Sequence, residues 1–184
     1  MQFNPEIHRR RSVRLKTHDY TEPGASFVTI CTWKRECLLG EVRDGKVILS
    51  GLGEVVREEW LRTALARPLV TLDEFAIMPN HIHGIVSIRD EGKARLAPTT
   101  ARFRRPLPGS LPVIVGAVKS ACTNRINVMR QTPGLSLWQR NYYEHVVRSE
   151  SELARVREYI VMNPTCWDED SENPNQVGAR RAVP

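Results

Sequence analysis

Two histidines, His81 and His83, stand two residues apart in the stretch Met78-Pro-Asn-His-Ile-His-Gly84, which runs on into Ile85, Val86, Ser87 and Ile88. In a strand, successive side chains point to opposite faces, so both imidazoles share one face while Ile82, Val86 and Ile88 share the other. At the usual rise the two lie about 7 Å apart along the backbone and can converge on one divalent ion. The pair alone is weak evidence, because five histidines in 184 residues give roughly 0.1 such pairs by chance. Two surface histidines on an edge strand would leave the same trace. The Pro79-Asn80 turn before them and the apolar strand around them favour a site.

Tyr159 and Asn163, four residues apart, share one face of a helix. A helical tyrosine beside an apolar stripe is commonly a core residue whose hydroxyl reaches outward. The functional alternative makes Tyr159 a nucleophile and Asn163 a neutral oxygen ligand that completes the metal site. A phenol of pKa about 10 attacks poorly at neutral pH, but a metal-polarised phosphodiester asks less of it. Covalent capture on tyrosine conserves the phosphodiester bond energy for a later joining step. That is the chemistry of nicking and strand transfer rather than of simple hydrolysis.

The elements that must hold these residues follow from the pattern. Phe27 to Trp33 alternates and is rich in β-formers, a strand. Leu38 to Val42 and Lys46 to Leu49 flank Asp44-Gly45, the composition of a tight hairpin. Ser50 offers a cap to a helix in which Leu52, Val56, Trp60 and Ala64 recur every four residues, and Pro68 stops it. Leu69 to Met78 reads as a core strand that Pro79-Asn80 turns into the histidine strand as an antiparallel neighbour. Leu111 to Arg130 is a helix with Ile114, Val118, Cys122 and Ile126 in one stripe. Lys119 and Arg130, eleven residues apart, return to nearly the same azimuth. They form either a basic edge for phosphates or a solvated face. Leu137 to Val147 ends in a strand; Ser149 to Glu152 is a capping box for a helix packed by Leu153, Val156 and Ile160, which Pro164 ends at Asn163. The order β, hairpin, α, β, β, α, β, α predicts an α+β fold, a ferredoxin-like antiparallel sheet with helices packed on one face. The expected organisation is a basic arm over 1–20, one domain over 21–167 with a basic loop at 89–110 inside it, and a polar, acidic tail over 168–184.

Composition allows this and excludes other classes. The hydrophobic share of 41% and charged share of 26% are ordinary for a globular protein. A formal charge of +6 and a sequence pI near 9.5 suit an acidic partner, nucleic acid above all. Cys31, Cys37, Cys122 and Cys166 form no Cys-x-x-Cys pair and read as reduced thiols. With no signal-peptide pattern and no apolar run near the ~20 residues of a membrane span, a cytoplasmic protein is expected. A histidine-triad hydrolase would need a third histidine where Ile85 stands, and a closed zinc site would need four N or S ligands.

The long motifs carry a resemblance. MPNHIHGIV resembles the metal-binding HUH motif (His, bulky apolar, His) of the one-tyrosine transposases. WQRNYYEHVVRSESELARVREYIVMNP resembles the C-terminal half of the REP-associated tyrosine transposases, and RRSVRLKTHDYTEPGASFVTICTWKRECLLG their N-terminal segment. The likeness spans about residues 10 to 167. It implies an HUH endonuclease fold, a divalent ion (Mg2+ or Mn2+), and single-stranded DNA with short palindromic hairpins as the partner. It also implies cleavage through a 5′-phosphotyrosine that leaves a free 3′-hydroxyl, and a monomer rather than a dimer. Position by position, His81 and His83 match the HUH ligands, Tyr159 the nucleophile and Asn163 the polar residue one turn on. Glu144 and His145 fall in a recurrent Glu-His segment, His145 reading best as a structural histidine. Lys119, Arg130, Arg140 and Arg14 are the expected DNA contacts. The competing expectations are a DNA-binding protein of the same fold that no longer cleaves, and a structural protein with a chance motif.

Overall fold

The computed structural model describes residues 23–89 and 109–175. The basic arm with Arg14, residues 90–108 of the basic loop and the tail beyond 175 lie outside the described residues. Strand β1 (Gly24–Cys31) leads into a hairpin of β2 (Gly40–Arg43) and β3 (Lys46–Leu49), then helix α1 (Gly51–Leu65). Strands β4 (Val70–Met78) and β5 (His81–Ile88) follow, then α2 (Leu111–Arg130), β6 (Tyr143–Val147) and α3 (Glu150–Met162). The main sheet has the order β4-β5-β1-β6 with every neighbour antiparallel. Leaving out the β2-β3 hairpin, this is the βαββαβ ferredoxin-like arrangement, as expected.

Local signals explain the element ends. The β2-β3 turn needs positive φ at both central residues, and Asp44 (51°) and Gly45 (69°) supply it. Ser50 caps α1 by accepting from the Gly53 N–H at 3.1 Å, and Ser149 caps α3 by accepting from Glu152. The Glu152 carboxylate reaches back to the Arg148 N–H, one residue beyond the usual capping-box partner. Asn163 ends α3 with helical angles, despite the preference against them before Pro164.

Packing places the two functional faces of the sheet. Val28, Ile30, Ile82 and Val86 meet α1 and α2 through Val56, Trp60, Ile114, Val118, Cys122 and Ile126, the stripe read from the sequence. Trp60 lies so close to β5 that a Cβ on Gly84 would fall 2.3 Å from its ring, so glycine alone fits between the histidine pair and the core. Phe27 and Ile85 face the other way, against Leu153, Val156 and Ile160 of α3. The two core helices thus share one face, as expected, while α3 covers the opposite one. That departure follows from β5 itself, whose even residues feed the α1-α2 core and whose odd residues, the histidines among them, need a separate cover.

Candidate functional site

β5 is an interior strand, paired with β4 and β1, and both histidines are buried: His81 at 0% exposure and His83 at 2%. A pair of surface histidines on an edge is therefore excluded. Asn80, in the two-residue turn between β4 and β5, orients the first ring. Its Nδ2 donates to the carbonyls of Arg35 (3.1 Å) and Glu172 (2.8 Å). Its Oδ1 must then face His81 Nδ1, 2.8 Å away, so Nδ1 carries the proton and Nε2 the lone pair. His83 Nδ1 lies 2.9 Å from Thr29 Oγ1 on the neighbouring strand, and the two Nε2 atoms are 2.9 Å apart. Facing lone pairs at that distance repel, so a proton on His83 Nε2 or a cation must lie between them.

A third group comes from beyond α3. After the turn at Pro164, a short 3-10 helix (Trp167–Glu169) carries Asp170 into the site, where its Oδ2 lies 3.7 Å from His81 Nε2 and 3.9 Å from His83 Nε2. Asp170 is 7% exposed. Its Oδ1 accepts from the Glu172 N–H at 2.6 Å, but Oδ2 has no hydrogen-bond partner, nor has the buried Oδ1 of Asn163. One ligand atom from each of His81, His83 and Asp170 lies within 4.8 Å of the others, so this buried group can bind a metal. Two neighbouring ligands in an octahedral shell with bonds of about 2.1 Å are ~3.0 Å apart, which the Nε2 pair matches. The orphaned oxygens are hard donors beside the imidazoles, a set that can serve a divalent cation.

The electrostatics are compatible with a bound cation. Burial, then the neighbouring His83, pushes His81 down to about 3, so the ring is neutral at pH 7. Burial raises Asp170, but the nearby His83 ring and the hydrogen bond from the Glu172 N–H outweigh it and hold the carboxyl at about 2. A carboxylate ionised in a nearly closed site needs a positive partner.

Tyr159 closes the arrangement from α3. Its hydroxyl is 3.3 Å from His83 Nε2, and its ring meets His83 and Phe27 edge-on, at 5.1 and 5.9 Å between centroids. Burial first, then the negative charge of Asp170, pushes the phenol up to about 12, against a hydrogen bond with Asn163 that favours the phenolate. The ring fronts an open cleft of about 400 Å3 lined by Thr29, Arg35, Gln139, Tyr143 and Glu172 among others.

The structure brings His81, His83, Asn163 and Tyr159 together and sets the other expected site residues apart. Lys119 Nζ donates to the carbonyls of Gln139 and Arg140, at 2.6 and 3.0 Å, and so pins the cleft wall rather than facing solvent as a free cation. Arg130 and Arg140 are exposed. His145 Nε2 contacts Glu152 at 2.7 Å, tying β6 to the start of α3. Glu144 pairs in register with Val28, which puts its carboxylate on the α1-α2 face, with both oxygens buried and without a hydrogen-bond partner. Asp170 is the residue sequence reasoning missed. It lies in a run with Asp168, Glu169 and Glu172 that shows no periodicity, and the available signal was its place directly after the turn that ends the tyrosine helix.

No family model matches the chain. An uncharacterised protein of Haemophilus influenzae is 37% identical over 171 residues, 91% of this chain and 95% of that protein. A second protein of Haemophilus influenzae, named "Putative REP-associated tyrosine transposase", is 29% identical over 150 residues, 79% of this chain and 73% of that protein. A solved structure of a REP-associated tyrosine transposase bound to a REP hairpin superposes with a TM-score of 0.58 at 19% identity, covering 93% of this chain and 88% of that one. At that identity the likeness shows the fold.

Proposed function

We propose that this chain is a REP-associated tyrosine transposase, the kind of protein it resembles in sequence and in fold, and that it acts as a metal-dependent endonuclease and strand-transferase for single-stranded DNA bearing short palindromic hairpins. The observation that carries this reading is the Tyr159 hydroxyl 3.3 Å from His83 Nε2, at the edge of the buried His81, His83 and Asp170 group. Those three residues would hold Mg2+ or Mn2+, with Asn163 Oδ1 as a further oxygen donor. When bound, the ion supplies Lewis-acid stabilisation of the charge that develops on the phosphate. Tyr159 Oη forms a bond to phosphorus as the bond from phosphorus to the 3′ oxygen breaks. The phenol gives up its proton, the 3′ oxygen takes one up, and the products are a 5′-phosphotyrosine and a free 3′-hydroxyl. Asn80 and Thr29 hold the imidazoles by their Nδ1 atoms and keep the Nε2 atoms aimed at the site. Arg130 and Arg140, with Arg14 of the N-terminal segment, are the proposed phosphate contacts; Lys119 acts through the loop it holds. The proposed working form is a monomer in the cytoplasm.

The test is a labelled hairpin oligonucleotide with a single-stranded flank, incubated with Mn2+. The wild type is expected to give an SDS-stable protein–DNA band that EDTA abolishes. Tyr159→Phe is expected to lose the band while binding the hairpin as before. A band from the Phe variant, or one that survives EDTA, overturns the reading; hairpin binding with no band from the wild type would point to a binder that does not cut.

A further inference from the structure

We propose that Asp73 and Arg157 are positioning residues for Tyr159: their ion pair sets the rotation and depth of α3 on the sheet, and so where the phenol meets His83. The inference rests on reading Tyr159 as the nucleophile. α3 is thinly packed, with Ile160 its one fully buried residue and Leu153 and Val156 partly buried beside it. One narrow stripe leaves the rotation of a helix about its axis weakly determined. With side chains reaching roughly 6 Å from the axis, a turn of about 10° moves a side-chain tip by ~1 Å. Misplacement by about 1 Å can cost ~100-fold in rate.

The ends of α3 are held differently. Its start is tied to β6 by the Ser149 cap and by His145 to Glu152. Farther along, Arg157 reaches Asp73 on β4 with both arms of its fork: Nε donates to Oδ1 at 2.9 Å and Nη2 to Oδ2 at 2.7 Å. Two parallel bonds fix direction as well as distance. Arg157 Nη1 also lies 3.3 Å from Glu150 Oε1, one more brace within the helix.

The strand prepares its half of the pair. The β4-β5 register slips between Leu72 and Phe75, since Leu72 pairs with Val86 and Phe75 with Gly84. Asp73 and Glu74 together therefore oppose Ile85, a β-bulge of the kind that re-aims side chains near sites. The Glu74 N–H donates to Asp73 Oδ1 at 2.8 Å, setting the carboxylate before Arg157 arrives. Ile85 is two residues from His83 on the same face. The pair thus refers the tyrosine helix to the strand segment that carries the metal-binding histidines. Its side chains keep 25% and 39% of their exposure, where an ion pair contributes little stability and geometry is what it can supply.

Arg157→Lys keeps the charge and loses the fork. Its thermal midpoint and hairpin affinity are expected to match the wild type, while single-turnover adduct formation at saturating DNA slows at least tenfold. A second readout uses 3-fluorotyrosine at position 159 and 19F NMR of the DNA-free protein. The wild type should give one dispersed signal, and Arg157→Lys a signal split or moved toward that of free fluorotyrosine. A wild-type rate in Arg157→Lys overturns the proposal, as does a slowed rate with an unchanged fluorine signal. If the wild type forms no adduct, the nuclease reading fails on its own, and an unchanged fluorine signal in Arg157→Lys then overturns the positioning role separately.

Discussion

His81 and His83 hold their Nε2 atoms 2.9 Å apart because each Nδ1 is tied elsewhere, to Asn80 and to Thr29. Both rings are thereby committed before any cation arrives, and Asp170 brings the one full negative charge among the three. Replacing it by asparagine keeps the shape and removes that charge, so Asp170→Asn should weaken Mn2+ binding at least ~10-fold, measurable by calorimetric titration. Affinity equal to the wild type would remove Asp170 from the ligand set. The histidine pair and Tyr159 were legible because strand and helix periods place side chains on predictable faces. Asp170 was not, because it reaches the site through an irregular turn in which no period relates residue number to direction.

At the scale of elements, β5 is squeezed between two demands. Gly84 must admit the Trp60 ring on one face, while its neighbours His83 and Ile85 serve the other. Gly84→Ala should therefore lower stability by about 1–3 kcal/mol through overpacking, read by denaturant unfolding; an unchanged midpoint would mean that Trp60 moves aside freely. The clamp between β4 and α3 has a pH signature. Hydrogen bonds from Arg157 hold the Asp73 carboxyl below its ordinary 3.8. A carboxylate depressed in the folded state contributes stability above the unfolded value and loses it as pH falls through the folded one. Asp73→Asn should thus lower the thermal midpoint by ~1–4 °C at pH 7, and the difference should vanish as pH drops below 3.8. A gap that persists in acid would assign the effect to something other than this charge. Most strands and helices were legible to within a few residues, since caps, turns and stripes are local, although β1 begins three residues earlier than its alternating pattern and ends before Trp33. The side of the sheet that α3 covers was not, because its stripe fits either face and only the tertiary crossover decides.

Across the whole molecule, the formal charge of +6 and the exposed Arg130 and Arg140 suit a polyanionic partner. Binding to a hairpin oligonucleotide should weaken steeply with salt, and Arg140→Ala should reduce the slope of log K against log salt by roughly 0.7–0.9. An unchanged slope would remove Arg140 from the phosphate contacts. Among the described residues no helix is long and apolar enough to cross a membrane. The proposed mechanism turns on which atom takes the phosphate, since Tyr143 lines the same cleft as Tyr159 and is comparably exposed, 49% against 46%. Mass spectrometry of the proteolysed protein–DNA adduct, formed with Mn2+ and a hairpin oligonucleotide, identifies the residue directly. The peptide containing Tyr159 should carry a nucleotide through its 5′-phosphate; the same mass on the peptide containing Tyr143, or a 3′ linkage, would contradict the mechanism.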